Sequence, residues 1–145
     1  MYGRIYTWRD RKGPWNTEPD KLQFTDEETG FECSIERHPI MGHLNGYVII
    51  PKRNILRDIE IDEYNIDIHG GLSFFDEDCV GFDCAHHGDI VPITSDIYKD
   101  FLERNPPEQF KGVYPTYKNI EFVKAECKKL ARQLKDLEVK ILAKC

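Results

Sequence analysis

A dense run of histidines, glycines and acidic residues lies between Asp67 and Asp89. It holds three of the five histidines of the chain. An imidazole ring exchanges protons near neutral pH, and a neighbouring carboxylate can hold that ring in one orientation. Glycines let a ligand come close to backbone amides. The composition of this run therefore predicts a site for acid–base chemistry or ligand binding.

Two motifs make up the run. In the first, His69 is followed by two glycines, which suits an exposed ring beside backbone amides that could receive an anion. The second runs from Asp83 to Asp89 and contains a His-His-Gly-Asp ending. We predict four catalytic residues from these motifs: His69, Asp83, His86 and Asp89. The residues predicted to bind the ligand are Asp67, Gly70, Gly71, Ser73 and His43.

The acids and histidines of the second motif are compatible with three roles. They could hold a divalent metal ion or form a general acid–base pair, although no spacing matches a strong metal signature such as His-Glu-x-x-His. They could bind a ligand without chemistry. They could also form a structural turn in which Asp83 and Asp89 cap backbone amides and His86 is buried. The sequence leaves these roles open and leaves the metal unknown.

Two further side chains near the run have competing interpretations. Cys84 stands two residues before His86, as a nucleophile beside a base would, but it also alternates with Val80 and Phe82. That alternation predicts a buried, inert thiol. His43 and His38 flank a turn. The pattern favours two surface histidines of a loop, but they could join the His69 cluster if the turn folds over the sheet.

Composition limits the classes of function. A chain of 145 residues is long enough for one domain, 1–145, with its own core. Its formal charge of -6 argues against general binding of nucleic acid. No apolar run is long enough to span a membrane, and the N-terminus lacks the apolar stretch of a signal peptide. Five cysteines without a Cys-x-x-Cys pair argue against a disulfide framework and favour a cytoplasmic location.

The elements that position the motifs follow from hydrophobic periodicity. Residues 1–30 are polar and rich in turns, and the two tryptophans there indicate that the segment packs onto the domain. Residues 31–37 alternate between apolar and polar, which predicts a strand, and residues 47–50 form a short apolar run that predicts a buried strand. We expect residues 31–92 to form a sheet that carries the His/Asp motifs.

A β-hairpin is predicted from residues 64–74 and 79–84 around an acidic turn. A three-residue turn would pair Phe74 with Val80 and Leu72 with Phe82, and so collect the apolar side chains on one face. A two-residue turn would instead place Asp67 and His69 on the face of Val80 and Phe82, a less favourable burial pattern, so the three-residue turn is preferred. The opposite face would then bring Asp67, His69 and Asp83 together.

Two helices are predicted in the remaining chain. A short one covers residues 94–104, opened by a Thr94 or Ser95 cap. In residues 119–143 apolar side chains recur at spacings of three and four, which predicts a long amphipathic helix. The expected fold is α+β: a small antiparallel sheet with this C-terminal helix packed on one face. The lysine-rich last turns could also pair with a second copy, giving a homodimer through the C-terminal helix.

The order of the motifs resembles a family of small hypothetical proteins from bacteria and phages. The segments His69–Phe74 and Gly81–Asp89 carry the resemblance, which covers most of the chain. Members of that family often have Cys in place of Asn45 and Thr in place of Ser73. These differences argue against a required thiol at position 45 and leave a hydroxyl at position 73. The resemblance implies a cytosolic protein, compatible with a phage origin, and supplies no mechanism.

Three hypotheses of function follow. The leading one is a small hydrolase-like enzyme acting on a small polar or phosphorylated ligand, in which His69 or His86 is the general base. Asp83 and Asp89 would orient a ring or hold a metal. The second is a non-catalytic binding protein that sequesters a nucleotide-like ligand, as in phage anti-defence. The third is a dimeric interaction module with a structural His/Asp turn.

Overall fold

The protein is an α+β fold built on one antiparallel sheet, as the sequence predicts. The computed structural model describes residues 6–144. The five strands are β1 (Lys21–Thr25), β2 (Glu32–Arg37), β3 (Leu44–Ile49), β4 (Phe74–Phe75) and β5 (Cys79–Asp83). The two α-helices are α1 (Ser95–Arg104) and α2 (Ile120–Leu142). The strand order is β1-β2-β3-β5-β4, and every neighbouring pair is antiparallel.

The long helix α2 packs on one face of this sheet. Its buried stripe includes Val123, Leu130 and Leu134, which join the core with residues such as Val48 of β3. The helix approaches the sheet closely at Gly46, where an added Cβ would lie 2.8 Å from the Cys127 sulfur. The stripe therefore buries its apolar surface against the chain's own sheet. Among the described residues, no helix combines the length and the hydropathy needed to cross a membrane.

The N-terminal segment contributes a strand that its polar composition did not predict. β1 pairs along its whole length with β2, and its Leu22 and Phe24 pack against the core. A strand with only two apolar positions gives too short an alternation to stand out from a turn-rich segment. Trp8 and Trp15 are both buried, so the described part of this segment packs onto the domain as predicted.

The hairpin forms with a different register from the predicted one. Phe74 pairs with Gly81 and Phe75 with Val80, so the predicted pairing of Phe74 with Val80 is wrong. The chain reverses over Asp76–Cys79, where the Asp76 N–H donates to the Cys79 carbonyl at 3.0 Å. The Asp76 carboxylate accepts hydrogen bonds from the backbone N–H groups of Asp78 and Cys79, at 2.8 and 2.9 Å. Before Phe74 the chain is irregular rather than a strand. The predicted polar face shared by residues 67, 69 and 83 therefore does not form.

Candidate functional site

The centre of the candidate site is a contact between His69 and Asp89. The Nε2 atom of His69 lies 3.0 Å from Oδ1 and 2.8 Å from Oδ2 of Asp89. The Asp89 side chain is fully buried, whereas the His69 side chain is 19% exposed. Since an ionised carboxylate only accepts hydrogen bonds, Nε2 carries the proton of the neutral ring and Nδ1 holds the lone pair. Within residues 6–144, Nδ1 has no hydrogen-bond partner, and it is not fully buried.

A tight turn presents the His69 ring. The backbone N–H of Gly71 donates to the carbonyl of Ile68 at 2.9 Å, and Gly70 has a φ of +68°. That backbone conformation strongly favours glycine, which explains the residue after His69. The turn is also tied to α2, because the backbone N–H of His69 donates to Glu126 Oε1 at 3.0 Å.

Three donors hold Asp89 in its charged form. Besides the His69 ring, the Lys118 Nζ lies 3.0 Å from Oδ1, and the backbone N–H of His86 donates to Oδ2 at 3.0 Å. Burial by itself raises the pKa of Asp89, but the bonds from His69, His86 and Lys118 outweigh it and hold the pKa below its ordinary value. Asp89 is therefore an anion at neutral pH and can orient an imidazole ring.

A second His–Asp pair lies beside the first. The His86 Nε2 is 3.1 Å from Asp83 Oδ1, a distance that allows an ion pair when the ring is protonated. The orientation does not make a hydrogen bond, so this buried nitrogen has no partner among the described residues. The ring centroids of His69 and His86 are 6.2 Å apart, and their planes cross at 77°. Two imidazole rings, each with its own acid, therefore face one small region.

Gly70 provides the space that the second ring occupies. A Cβ added there would lie 2.2 Å from Cδ2 and 2.4 Å from Nε2 of His86. The first motif thus places one histidine and makes room for the histidine of the second motif. Gly71, with a φ of +82°, has open space around its missing side chain and serves the turn alone.

His43 extends the cluster away from His69. It is 5% exposed and stacks on His38, with ring centroids 5.1 Å apart. Burial, followed by the influence of His38, lowers the pKa of His43, while Asp83 and Asp89 act in the opposite direction. Its buried Nδ1 has no hydrogen-bond partner within the described chain. The turn after β2 therefore does fold toward the cluster, and it brings a neutral imidazole.

Two predicted ligand-binding residues lie elsewhere. The Asp67 carboxylate is 84% exposed and pairs with Lys129 of α2 at 3.1 Å, while its backbone exchanges hydrogen bonds with the Gln133 side chain. Ser73 is exposed beside the short edge strand, where its N–H donates to the Gly81 carbonyl at 3.0 Å. Asp67 therefore contacts α2, and Ser73 contacts β5, rather than the His–Asp pairs.

Three residues of the site lie outside the two sequence motifs and were not predicted. Lys118 precedes α2, Phe122 packs its ring edge-on to His69 at a centroid distance of 5.1 Å, and Glu126 anchors the turn. All three lie far along the chain from the glycines and histidines that they support. Phe122 and Glu126 are four residues apart on one face of α2, a spacing that an amphipathic helix shows everywhere.

The four predicted catalytic residues form two pairs rather than one cluster. Across residues 6–144, no group of three or more His, Cys, Asp or Glu side chains is arranged to hold a metal ion. Cys84 is 2% exposed, and burial, followed by the charges of Asp89 and Asp83, raises the pKa of its thiol. The sequence interpretation of Cys84 as a buried, inert thiol is in accord with this environment.

Comparison with known proteins leaves the site to be interpreted from its own geometry. No protein-family model, curated protein or solved structure matches this chain.

Proposed function

We propose that this protein is a hydrolase-like enzyme that acts on a small polar or phosphorylated molecule through two histidines. His69 is the general base and His86 the general acid. The observation that carries the proposal is the contact of His69 Nε2 with both oxygens of the buried Asp89. Such a contact fixes the orientation and the tautomer of an imidazole, as a catalytic base requires.

The role of His69 follows from which of its ring nitrogens bonds Asp89. Asp89 holds Nε2, so the lone pair of Nδ1 points away from the carboxylate and can take a proton from water. Asp89 also stabilises the imidazolium that forms. Lys118 balances the charge of Asp89 when the ring is neutral, because its Nζ lies 3.0 Å from Oδ1.

The role of His86 follows from its acid and from its distance to the first ring. The His86 Nε2 lies 3.1 Å from Asp83 Oδ1, so a protonated ring forms an ion pair with this acid. A reacting group that contacts both rings from the solvent side meets a base at His69 and an acid at His86. The water O–H bond breaks and its proton passes to His69 Nδ1. The water oxygen bonds to phosphorus or to an acyl carbon. The bond from that atom to the leaving oxygen breaks, and the leaving oxygen keeps the electron pair and takes the Nδ1 proton of His86.

Turnover of simple chromogenic esters tests this proposal. Bis(p-nitrophenyl) phosphate, p-nitrophenyl phosphate and p-nitrophenyl acetate present diester, monoester and acyl substrates. We expect wild-type protein to hydrolyse at least one of them with a bell-shaped pH profile, and His69→Gln to lower kcat by about 100-fold or more. His86→Gln should remove the alkaline limb of the profile, because that limb reports loss of the acid.

The matched control is His87→Gln. His87 adjoins His86 but its side chain is exposed, so its loss should leave kcat unchanged. Circular dichroism checks that each variant is folded. Turnover that is the same in His69→Gln as in wild type would overturn the proposal, and so would the absence of turnover on all three substrates. Saturable binding of a substrate without hydrolysis would favour a sequestering protein instead.

A further inference from the structure

A separate cavity of about 580 Å³ lies between the N-terminal segment, α1 and the residues that precede α2. Its volume is in the range of small-molecule sites. It adjoins the catalytic region only through the backbone, since Ile90 lines it while the neighbouring Asp89 contacts His69. A ligand in this cavity would therefore occupy a different place from a substrate that contacts the two histidines.

The walls of the cavity are aromatic and apolar. Trp15 and Tyr117 form one side, with ring centroids 5.1 Å apart and an edge-to-face arrangement. The indole N–H of Trp15 donates to the Arg11 carbonyl at 3.1 Å, so the ring is fixed before any ligand arrives. Tyr98 and Leu102 of α1 form the opposite side.

The cavity explains an unusual property of α1. This helix is amphipathic in sequence, yet none of its residues is buried. Tyr98 and Leu102 are four residues apart, so they lie on one face of the helix, and that face lines the cavity instead of a packed core. An apolar helix face above an open space is suited to an apolar ligand.

The rim of the cavity carries an excess of positive charge. Of its three basic residues, Arg11 pairs with Asp96 at 3.1 Å. Lys12 and Lys99 are exposed and form no ion pair within residues 6–144. The remaining acid of the lining, Asp10, accepts a hydrogen bond from the backbone N–H of Thr7 at 2.9 Å. Three basic and two acidic side chains give this lining one net positive charge, which favours an anion in a chain whose overall charge is -6.

We propose that this cavity binds a small molecule that has a planar aromatic ring and one anionic group. The ring lies against the aromatic and apolar walls, and the anionic group pairs with Lys12 and Lys99. This binding does not depend on the hydrolytic activity proposed above. A nucleoside monophosphate and an aryl sulfonate both belong to the class.

Calorimetric titration of the full chain with four probes tests the proposal. Adenosine 5′-monophosphate and naphthalene-1-sulfonate carry a ring and an anion, adenosine carries only a ring, and inorganic phosphate carries only charge. We expect at least one ring-bearing anion to bind saturably, with about tenfold or greater preference over adenosine and over phosphate. Lys12→Gln combined with Lys99→Gln should remove that preference and leave adenosine binding unchanged.

Two further variants complete the design. Lys52→Gln combined with Lys111→Gln removes two exposed lysines that do not line the cavity, and should leave every affinity unchanged. Leu102→Trp should weaken binding of the ring-bearing probes by filling the space, with fold confirmed by circular dichroism. Absence of saturable binding of both ring-bearing anions would overturn the proposal. So would equal affinities in the two lysine double variants, or binding of phosphate as tight as that of the ring-bearing anions.

Discussion

At the scale of single residues, His69 depends on Asp89 for its orientation, and Asp89 depends on its donors for its charge. Each donor comes from a different place: the ring of His69, the backbone of His86 and the side chain of Lys118. A buried carboxylate without such partners would take up a proton. Asp89 therefore links the orientation of His69, on which the proposed catalysis depends, to the stability of the fold.

The lowered pKa of Asp89 predicts how stability depends on pH. Because the folded-state pKa lies below the ordinary value of 3.8, the stabilisation is present above that value and is lost as pH falls through the folded pKa. At pH 7 we expect Asp89→Asn to lower the free energy of unfolding by about 3–5 kcal/mol, since it breaks a buried charged pair. The difference from wild type should shrink as the pH falls below 3.8, with values taken from urea unfolding. A difference that stays constant over this range would contradict the prediction.

The two glycines of the His-Gly-Gly motif provide a matched pair of substitutions. Both have positive φ, so Ala at either position costs about 1 kcal/mol or more for the backbone. Only at Gly70 does the new Cβ also collide with the His86 ring. Gly70→Ala should therefore destabilise the protein by at least about 1 kcal/mol more than Gly71→Ala in urea unfolding. It should also shift the NMR resonances of His86. Equal losses of unfolding free energy in the two variants would contradict this prediction, because they would show that the His86 ring moves aside without strain.

At the scale of elements, α2 supports both the core and the site. Its first turns supply Phe122 and Glu126 to the His69 turn, and its middle supplies the buried stripe. The Asn119 side chain caps the helix by accepting from the Phe122 N–H at 2.9 Å. Any shift of this helix would therefore move His69 relative to Asp89.

Two substitutions in α2 test where the helix is packed. Leu134 is fully buried, and Leu134→Ala should lower the free energy of unfolding by about 2–5 kcal/mol. Val139 is 55% exposed near the end of the helix, and Val139→Ala should change it by less than about 0.5 kcal/mol. Both values come from urea unfolding at several protein concentrations. If a second copy covers the exposed positions, as the homodimer prediction requires, Val139→Ala will be costly and stability will rise with concentration.

At the scale of the whole molecule, Arg37 joins segments that are distant in sequence. Its side chain is 1% exposed, and its guanidinium donates to the Gly42 carbonyl at 2.8 Å, to the Tyr117 hydroxyl at 3.0 Å and to Asp20 Oδ1 at 3.0 Å. It also lies 4.9 Å from the ring of Trp8. One side chain of β2 therefore holds the N-terminal segment and the residues before α2 together.

Arg37→Lys tests this junction. A lysine ammonium cannot reach three acceptors in the planar geometry of a guanidinium, and it leaves buried groups unpaired. We expect a loss of about 3–5 kcal/mol in the free energy of unfolding, with a red shift of tryptophan emission as Trp8 becomes solvated. Arg9→Lys is the control, because Arg9 pairs with the same Asp20 but is 67% exposed, and it should cost less than about 1 kcal/mol. Equal losses in the two variants would contradict a junction role for Arg37.

The regular elements were predictable where one period runs through many residues. The stripe of α2 and the alternation of β2 are such cases, and they define the α+β fold. The short strands β1 and β4 were not predictable as formed. Their pairing depends on the neighbouring strands rather than on a pattern of their own, and the Asp76 side chain stabilises the turn that sets the register of β4.

The sequence by itself determined which residues could exchange protons and that they cluster along the chain. Only the tertiary structure decided the pairing, in which His69 meets Asp89 and His86 meets Asp83, while Asp67 turns to α2. The physical reason is the separation along the chain between the residues that make contact. Periodicity reports contacts between residues a few positions apart, whereas irregular segments take their side-chain partners from the packing around them. Lys118 and Glu126 became partners of the site through that packing alone.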